Sequence, residues 1–268
     1  MALLSTDPGL VPPRGARGAA VPGALAALAL TGVLTIGASL WVMRLTGAEP
    51  RLAWTAAILF AGAAAIILRG LPQHPFHRFG PANAVTVLRA GMTAFAGAMV
   101  LASGQFVPGA GGAEVWAVLG LAGAALALDG VDGWLARRSG LASDYGARFD
   151  MEVDAALILL LSLAAWQLDK AGPWVVAIGA MRYAFVGAQW VVPRLGARLP
   201  PSLRRKIVCV AQIAGLCLVA LPPVPPALSA PLAALTLAAL AWSFAVDIRW
   251  LMVRPVAFLA PPDVSRDG

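Results

Sequence analysis

The sequence predicts an all-α protein that crosses a membrane several times, and three observations support this class. Of the 268 residues, 60% are hydrophobic and only 12% are charged, and the mean hydropathy is +0.79. This is more apolar surface than a single soluble core can bury. The apolar residues also form continuous runs rather than alternating patterns, which favours helices that satisfy their own backbone over a closed barrel of strands.

Eight apolar runs follow one another along the chain. Each is near the roughly 20 residues that a helix needs to span the hydrocarbon core of a bilayer. They cover residues 21–43, 52–68, 84–103, 113–130, 150–168, 173–193, 207–221 and 228–247. The sequence therefore predicts about eight membrane-spanning helices.

Lys and Arg are distributed unevenly between the loops of this topology. The loops on one side carry only Arg44, Arg51 and Lys170, whereas the loops on the other side carry many more basic residues. The positive-inside rule places the richer side, with both termini and the acidic residues described next, in the cytoplasm. The formal charge of +7 then follows from topology and from attraction to anionic lipid headgroups. Basic residues scattered over several loops argue against nucleic-acid binding.

Four carboxylates interrupt the apolar sequence at the fourth and fifth runs. Asp132 is three positions after Asp129, and Asp154 is four positions after Asp150, so each pair shares one face of its helix. At a rise of 1.5 Å per residue, both pairs lie within about 12 Å of the cytoplasmic edge of the bilayer. Carboxylates at such depths are costly, which indicates a functional site.

Carboxylates that face one point favour a hard divalent cation. One or two Mg²⁺ or Mn²⁺ ions would compensate the acids and leave coordination positions for a diphosphate, and we expect two ions. Zinc is disfavoured because the only histidines, His74 and His77, precede the third run. We also expect Cys209 and Cys217 to be free thiols that lie away from the acids.

Small and basic residues accompany the acids. Gly133, Ala136 and Gly146 lack the bulk that would keep a ligand or a neighbouring helix away, and Arg137 can offer a forked donor to a phosphate. The alternative is that these are ordinary packing residues and cytoplasmic charges. That alternative accounts for each residue singly, but packing does not require four acids.

The complete pattern, DxxDGxxAR followed by eight residues and then GxxxDxxxD, resembles the signature of the CDP-alcohol phosphotransferases. The chain fills all of its positions with Asp129, Asp132, Gly133, Ala136, Arg137, Gly146, Asp150 and Asp154. The resemblance covers roughly residues 75–250 and implies a six-helix catalytic bundle. We accordingly expect an N-terminal extension with two transmembrane helices at 1–74, a catalytic domain at 75–255 and a cytoplasmic tail at 256–268.

The resemblance implies an integral-membrane transferase of phospholipid biosynthesis. Such an enzyme moves a phosphatidyl, or other substituted phosphate, group from CDP-diacylglycerol to a small polar alcohol and releases CMP. Asp129, Asp132 and Asp150 then look like metal ligands, and Asp154 looks like a further ligand, the general base, or both. The nucleotide-binding positions implied by the motif are Gly133, Ala136, Arg137 and Gly146.

Two alternatives stay open. An enzyme that uses a CDP-linked small alcohol as donor and a lipid as acceptor would carry the same motif. A transporter that couples cation movement to intramembrane acids would also place carboxylates here, although it does not explain the accompanying Gly and Arg residues.

A segment before the motif also resembles the family. It reads Pro81-Ala-Asn83-Ala-Val-Thr86-Val-Leu-Arg89, with one extra residue between Pro81 and Asn83. Asn83, Thr86 and Arg89 recur at helical spacing and could face the nucleotide from the third span. In the alternative interpretation Asn83 caps the helix and Arg89 extends to the membrane interface.

Further basic residues are candidates for binding the acceptor or a phosphate. Arg182 lies in the middle of the sixth run, where contact with lipid would be costly, so it should point into the bundle, and a structural partner such as Glu152 is the alternative. Arg205 and Lys206 precede the seventh run, where they form either a cytoplasmic anchor or a phosphate site. Lys206 resembles a family position, although the Gly expected before it is missing.

The family and the small-residue helix faces also point to a possible homodimer.

Overall fold

The computed structural model describes residues 20–197, 199–200 and 202–253. These residues form eight α-helices connected by turns and short 3₁₀ segments, with no strand among them. The helices are α1 (Ala20–Thr46), α2 (Arg51–Gly70), α3 (Pro81–Ala102), α4 (Ala113–Ser139), α5 (Asp144–Gln167), α6 (Val176–Val191), α7 (Leu203–Ala220) and α8 (Pro226–Val253). The predicted all-α class is confirmed. The predicted tail at 256–268 lies outside the described residues.

Five of these helices are long and apolar enough to cross a membrane, namely α1, α2, α3, α4 and α8. Helix α6 has only 16 residues, and α5 and α7 begin with charged turns that lower their hydropathy. The five apolar helices indicate an integral membrane protein. The total of eight spans stays a prediction.

Helices α4 and α5 extend into the charged residues beside the apolar runs from which they were predicted. Helix α4 continues to Ser139 instead of ending near residue 130, and α5 begins at Asp144 instead of near residue 150. Hydropathy marks only the apolar part of a helix, whereas the backbone hydrogen bonds continue through charged residues. Both halves of the acidic motif are therefore helical.

A short turn joins α4 to α5. Gly140 follows the last residue of α4 with φ of +67°, a left-handed conformation that ends a helix and that glycine adopts without strain. Ser143 then caps α5, because its Oγ accepts a hydrogen bond from the Gly146 amide at 3.1 Å. The turn thus places the beginning of α5 directly after the end of α4.

The described residues form two compact units. The first contains the described residues up to Ala98 together with Ala127–Val153, and the second contains Met99–Leu126 together with the residues from Asp154 onward. In the first unit, α1 and α2 form a hairpin that packs on α3 and on the first turns of α5. Its buried cluster includes Leu28, Phe60, Ile67, Val87, Tyr145 and Phe149. The predicted N-terminal extension therefore shares a core with the residues that carry the acidic motif.

Helices α1 and α3 approach each other closely at Gly91. A methyl group added there would lie 2.3 Å from Thr31 Cγ2 and 2.8 Å from Thr35 Oγ1. We expect Gly91→Ala to lower the free energy of unfolding, because overpacking usually costs about 1–3 kcal/mol. The higher helix propensity of Ala offsets less than about 1 kcal/mol of this loss. Thermal unfolding in detergent micelles measures the effect.

Gly62 provides the matched control for this substitution. It lies inside α2, and a methyl group added there has no neighbouring atom within 4 Å. Gly62→Ala is therefore expected to leave stability unchanged or raise it by up to about 1 kcal/mol. Equal effects of the two substitutions would contradict close packing of α1 on α3.

The second unit contains the paired helices α7 and α8. Gln212 is fully buried and donates from Nε2 to the Thr236 carbonyl oxygen at 2.8 Å. The ammonium group of Lys170 donates to the carbonyl oxygens of Leu221 at 2.9 Å and Pro222 at 3.1 Å. Because Lys170 follows α5, these bonds connect the end of that helix to the loop between α7 and α8.

Candidate functional site

The carboxylates of Asp129, Asp132 and Asp150 converge within the first unit. One oxygen from each lies within 4.8 Å of the other two. Ligand oxygens of an octahedral Mg²⁺ are about 3–4 Å apart, since each bond is about 2.1 Å long, so small side-chain rotations would bring these oxygens into range. An all-oxygen, anionic donor set of this kind fits a hard divalent cation.

Arg89 lies at the centre of these three acids. Its Nη1 is 2.8 Å from Asp132 Oδ2 and 3.2 Å from Asp129 Oδ1, and it also donates a hydrogen bond to Asp150 Oδ1. The side chain is fully buried, so the alternative in which Arg89 extends to the membrane interface is wrong. One guanidinium charge against three carboxylates leaves the cluster negative, and this favours binding of a further cation.

Thr86 and Asn83 lie on α3, one and two turns before Arg89. The Thr86 hydroxyl is 3.2 Å from Asp132 Oδ2 and 3.1 Å from the Ala82 carbonyl oxygen. The Asn83 amide nitrogen donates to the Phe79 carbonyl oxygen and contacts His74 Nε2 at 3.0 Å. Asn83 therefore does not cap the helix, since a cap would accept a bond from a backbone amide of the first turn.

The small residues of the motif allow neighbouring side chains to approach the backbone closely. A methyl group added at Gly146 would lie 2.8 Å from Asn83 Oδ1. One added at Gly133 would lie 3.4 Å from a terminal nitrogen of Arg137, whose side chain is exposed. Ala136, on the same helix, is half-buried. A larger side chain at Gly146 would collide with Asn83.

Asp154 belongs to the second unit and is buried there. Its Oδ2 accepts a hydrogen bond from the Cys209 thiol of α7 at 3.3 Å. Cys209 and Cys217 form no disulfide, as expected, but the expectation that neither lies near an acid is wrong for Cys209. The sequence showed only that α5 and α7 are far apart along the chain, and packing of α7 against α5 supplied the contact.

The remaining basic candidates also lie in the second unit. Arg182 is half-buried in α6, and Lys206 is exposed near the start of α7. Arg205 is 3.2 Å from Asp247 of α8, which also accepts a hydrogen bond from Arg204. This pairing gives Arg204 and Arg205 a structural role between α7 and α8 and leaves Lys206 as the more accessible cation of the three.

Sequence reasoning treated Arg89 as a secondary residue, although it contacts all three acids. The signal that identifies it is the cost of a charged side chain inside an apolar helix, the same signal that identified Arg182. His74 was considered only as a zinc ligand, and Cys209 was expected to be a thiol away from the acids. Their contacts with Asn83 and Asp154 join residues from different helices, and no local pattern in the sequence reports them.

The comparisons with known proteins agree with this geometry. A family model described as CDP-alcohol phosphatidyltransferase matches residues 79–247, a range that contains the three-acid cluster, Arg89 and Asp154. No curated protein and no solved structure gives a significant match. The match covers more than half of the 268 residues. The chain therefore belongs to the CDP-alcohol phosphatidyltransferase family.

Proposed function

We propose that this protein transfers a phosphatidyl group from CDP-diacylglycerol to a small polar alcohol and releases CMP. The observation that carries the proposal is the convergence of Asp129, Asp132 and Asp150 on Arg89 inside the range matched by the family. The family implies a transferase that acts on a CDP-alcohol, and a three-carboxylate cluster is suited to binding the metal complex of a diphosphate.

Asp129, Asp132 and Asp150 would hold Mg²⁺ or Mn²⁺, with Asp154 as a fourth carboxylate if two ions are bound. When bound, the metal would stabilise negative charge on the diphosphate and on the departing CMP. The negative cluster left after pairing with Arg89 supports this assignment. Arg89 itself would hold the carboxylates together before the metal binds, since its Nη1 lies where they converge.

Asp154 is proposed as the general base. The acceptor hydroxyl attacks the phosphorus that carries the lipid, the bond from this phosphorus to the CMP oxygen breaks, and the hydroxyl proton passes to Asp154. The thiol of Cys209 donates to Oδ2 of Asp154, which supports a fixed orientation of this carboxylate. The nucleotide would lie against Gly133, Ala136, Arg137 and Gly146, with Asn83 and Thr86 beside it.

Arg182 and Lys206 are proposed to bind the acceptor or a phosphate, with Arg205 as a less accessible third member. Their charge suits a phosphorylated acceptor such as glycerol 3-phosphate or inositol phosphate.

We further propose that the catalytic domain is residues 75–255, preceded by the two-helix extension, and that the site and both termini face the cytoplasm. The distribution of Lys and Arg between alternate loops supports this orientation. Homodimer formation is a separate proposal.

The second candidate function exchanges the two substrates. A CDP-linked small alcohol would be the donor and a lipid alcohol the acceptor, and the same residues would carry out the same displacement. It is retained because the acid cluster and the family match are common to both reactions.

Purified protein in detergent or nanodiscs separates the two candidates. CDP-diacylglycerol is supplied with a panel of polar alcohols, and CDP-linked alcohols are supplied with diacylglycerol, each with Mg²⁺ or Mn²⁺ and with EDTA as a control. We expect metal-dependent CMP release from CDP-diacylglycerol with one class of acceptor. CMP release only from CDP-linked alcohols would establish the second candidate, and no release from any CDP donor would overturn both.

A further inference from the structure

The junction between α2 and α3, residues 71–80, connects the N-terminal hairpin to the residues around the acid cluster. His74 lies in this junction and is 6% exposed, whereas His77 three residues later is exposed. The ring of His74 contacts Tyr145, with the ring centres 5.3 Å apart in an edge-on arrangement. The junction is therefore packed against the first turn of α5.

The hydrogen bonds around His74 fix the orientation of Asn83. Asn83 Nδ2 donates to the Phe79 carbonyl oxygen, so its amide group cannot be turned over without placing two oxygens in contact. The second hydrogen on Nδ2 is directed at His74 Nε2, 3.0 Å away. With Nε2 as the acceptor, we assign the ring hydrogen to Nδ1, which then donates to the Phe76 carbonyl oxygen at 3.1 Å; the Phe76 amide nitrogen also lies 3.2 Å from Nδ1.

This arrangement determines which part of Asn83 is available to a ligand. Both hydrogens of its amide are directed at Phe79 and His74, so Oδ1 is the group left to accept a hydrogen bond. Oδ1 lies against Gly146, where an added methyl group would be 2.8 Å away. Glycine at position 146 therefore allows the close approach of the Asn83 oxygen, because any side chain there would collide with it.

The N-terminal hairpin, α1 and α2, is itself held to the first turn of α5 and to α3. Burial raises the pKa of Tyr145 to about 12, so its hydroxyl stays protonated and donates to the Ile67 carbonyl oxygen of α2 at 2.9 Å. Close packing of α1 on α3 at Gly91 fixes the other helix of the hairpin. The position of the junction is therefore set by contacts on both sides of it.

We propose that His74 is a positioning residue that holds Asn83 with its oxygen directed at the nucleotide, and that the N-terminal hairpin contributes to the active site through this residue. The inference rests on the proposed function, because it takes Gly146 and Asn83 as nucleotide-binding positions. It assigns the two extra helices a part in donor binding, in addition to any part in membrane anchoring.

Two substitutions at His74 test the proposal. Gln can present an acceptor oxygen near the position of Nε2, whereas Leu cannot, and both remove the aromatic ring. We expect His74→Leu to raise the KM for CDP-diacylglycerol about tenfold, the order of change produced by loss of one orienting hydrogen bond, with a much smaller change in kcat. His74→Gln should keep this KM within about twofold of the wild-type value.

Binding of CMP in the presence of Mg²⁺, measured by calorimetry, provides a readout that does not depend on turnover. The affinity should fall in His74→Leu and be retained in His74→Gln, while the KM for the acceptor alcohol stays constant in both. His77→Leu is the matched control, because His77 is the exposed histidine of the same junction, and it should leave KM and CMP affinity unchanged.

The outcomes distinguish the inference from the proposed function. Loss of thermal stability is expected in both His74 variants because both lose ring packing, so only the difference between them in donor binding supports a positioning role. If wild-type protein releases CMP and binds it but the two variants have equal donor KM, the inference fails and the proposed function stands. If wild-type protein neither binds CMP nor uses any CDP donor, both fail.

Discussion

Replacing Asp150 by Asn is expected to reduce CMP release by about 100-fold or more while the protein remains folded. Loss of a residue that only hydrogen-bonds to a metal ligand typically lowers metal affinity or activity about 10–100-fold. Loss of the charge on the ligand itself should lower activity at least as much. Folding should persist because the substituted amide keeps an oxygen where Asp150 Oδ1 accepts a bond from Arg89. Initial rates at saturating donor, over a series of Mn²⁺ concentrations, measure the effect.

Asp144→Asn is the control for this substitution. Asp144 is an exposed acid in the first turn of the same helix, α5. Its variant should retain activity close to that of the wild type and show the same dependence on Mn²⁺. Near-normal activity of Asp150→Asn would show that Asp150 is not a metal ligand.

Replacing Arg89 by Gln is expected to give the largest loss of stability. The three carboxylates would lose the buried guanidinium that compensates their negative charge. Removal of one partner from a buried ion pair typically costs about 3–5 kcal/mol. Thermal unfolding in detergent with EDTA should therefore show a large decrease in Tm. Mg²⁺ or Mn²⁺ should restore part of the loss, because a bound cation that compensates the acids stabilises only the folded state.

Arg148→Gln separates this effect from a general loss of positive charge. Arg148 is an exposed residue of α5 in the same unit, so its replacement should change stability by less than about 0.5 kcal/mol. An Arg89→Gln variant that unfolds at the wild-type temperature would contradict a central role for Arg89 in the cluster. If Mg²⁺ or Mn²⁺ raised the Tm of wild type and variant equally, the metal and the Arg89 guanidinium would not be competing for the three carboxylates.

The helical class was predictable because composition and continuous apolar runs determine it without knowledge of packing. The convergence of Asp129, Asp132 and Asp150 was also predictable, since helical spacing and depth in the membrane place the ends of α4 and α5 side by side. The bounds of α4 and α5 were not, because hydropathy does not report where backbone hydrogen bonding stops. The residues that indicate these bounds are Gly140, which favours the turn that ends α4, and Ser143, which favours the cap that begins α5.

The contacts of Arg89, His74 and Cys209 were beyond a reading of the sequence. Each depends on the rotation of one helix about its axis relative to another, and hydrophobic periodicity determines such rotations poorly in helices that are apolar on most faces. Arg89 shows the difficulty most clearly. Its position within α3 was compatible with facing either the membrane interface or the nucleotide, and only the packed structure places it among the acids.

The turn between α4 and α5 has a consequence for how the acidic motif tolerates changes in length. Within α5, one inserted residue between Gly146 and Asp150 would rotate Asp150 by about 100° and remove its carboxylate from the cluster. An insertion between Gly140 and Ser143 would instead lengthen a connection that is not helical, and the helix cap could form again at its end. The spacing from Gly146 to Asp150 is therefore fixed by helical geometry, whereas the spacing from Arg137 to Gly146 depends on a loop, where changes in length are absorbed more readily.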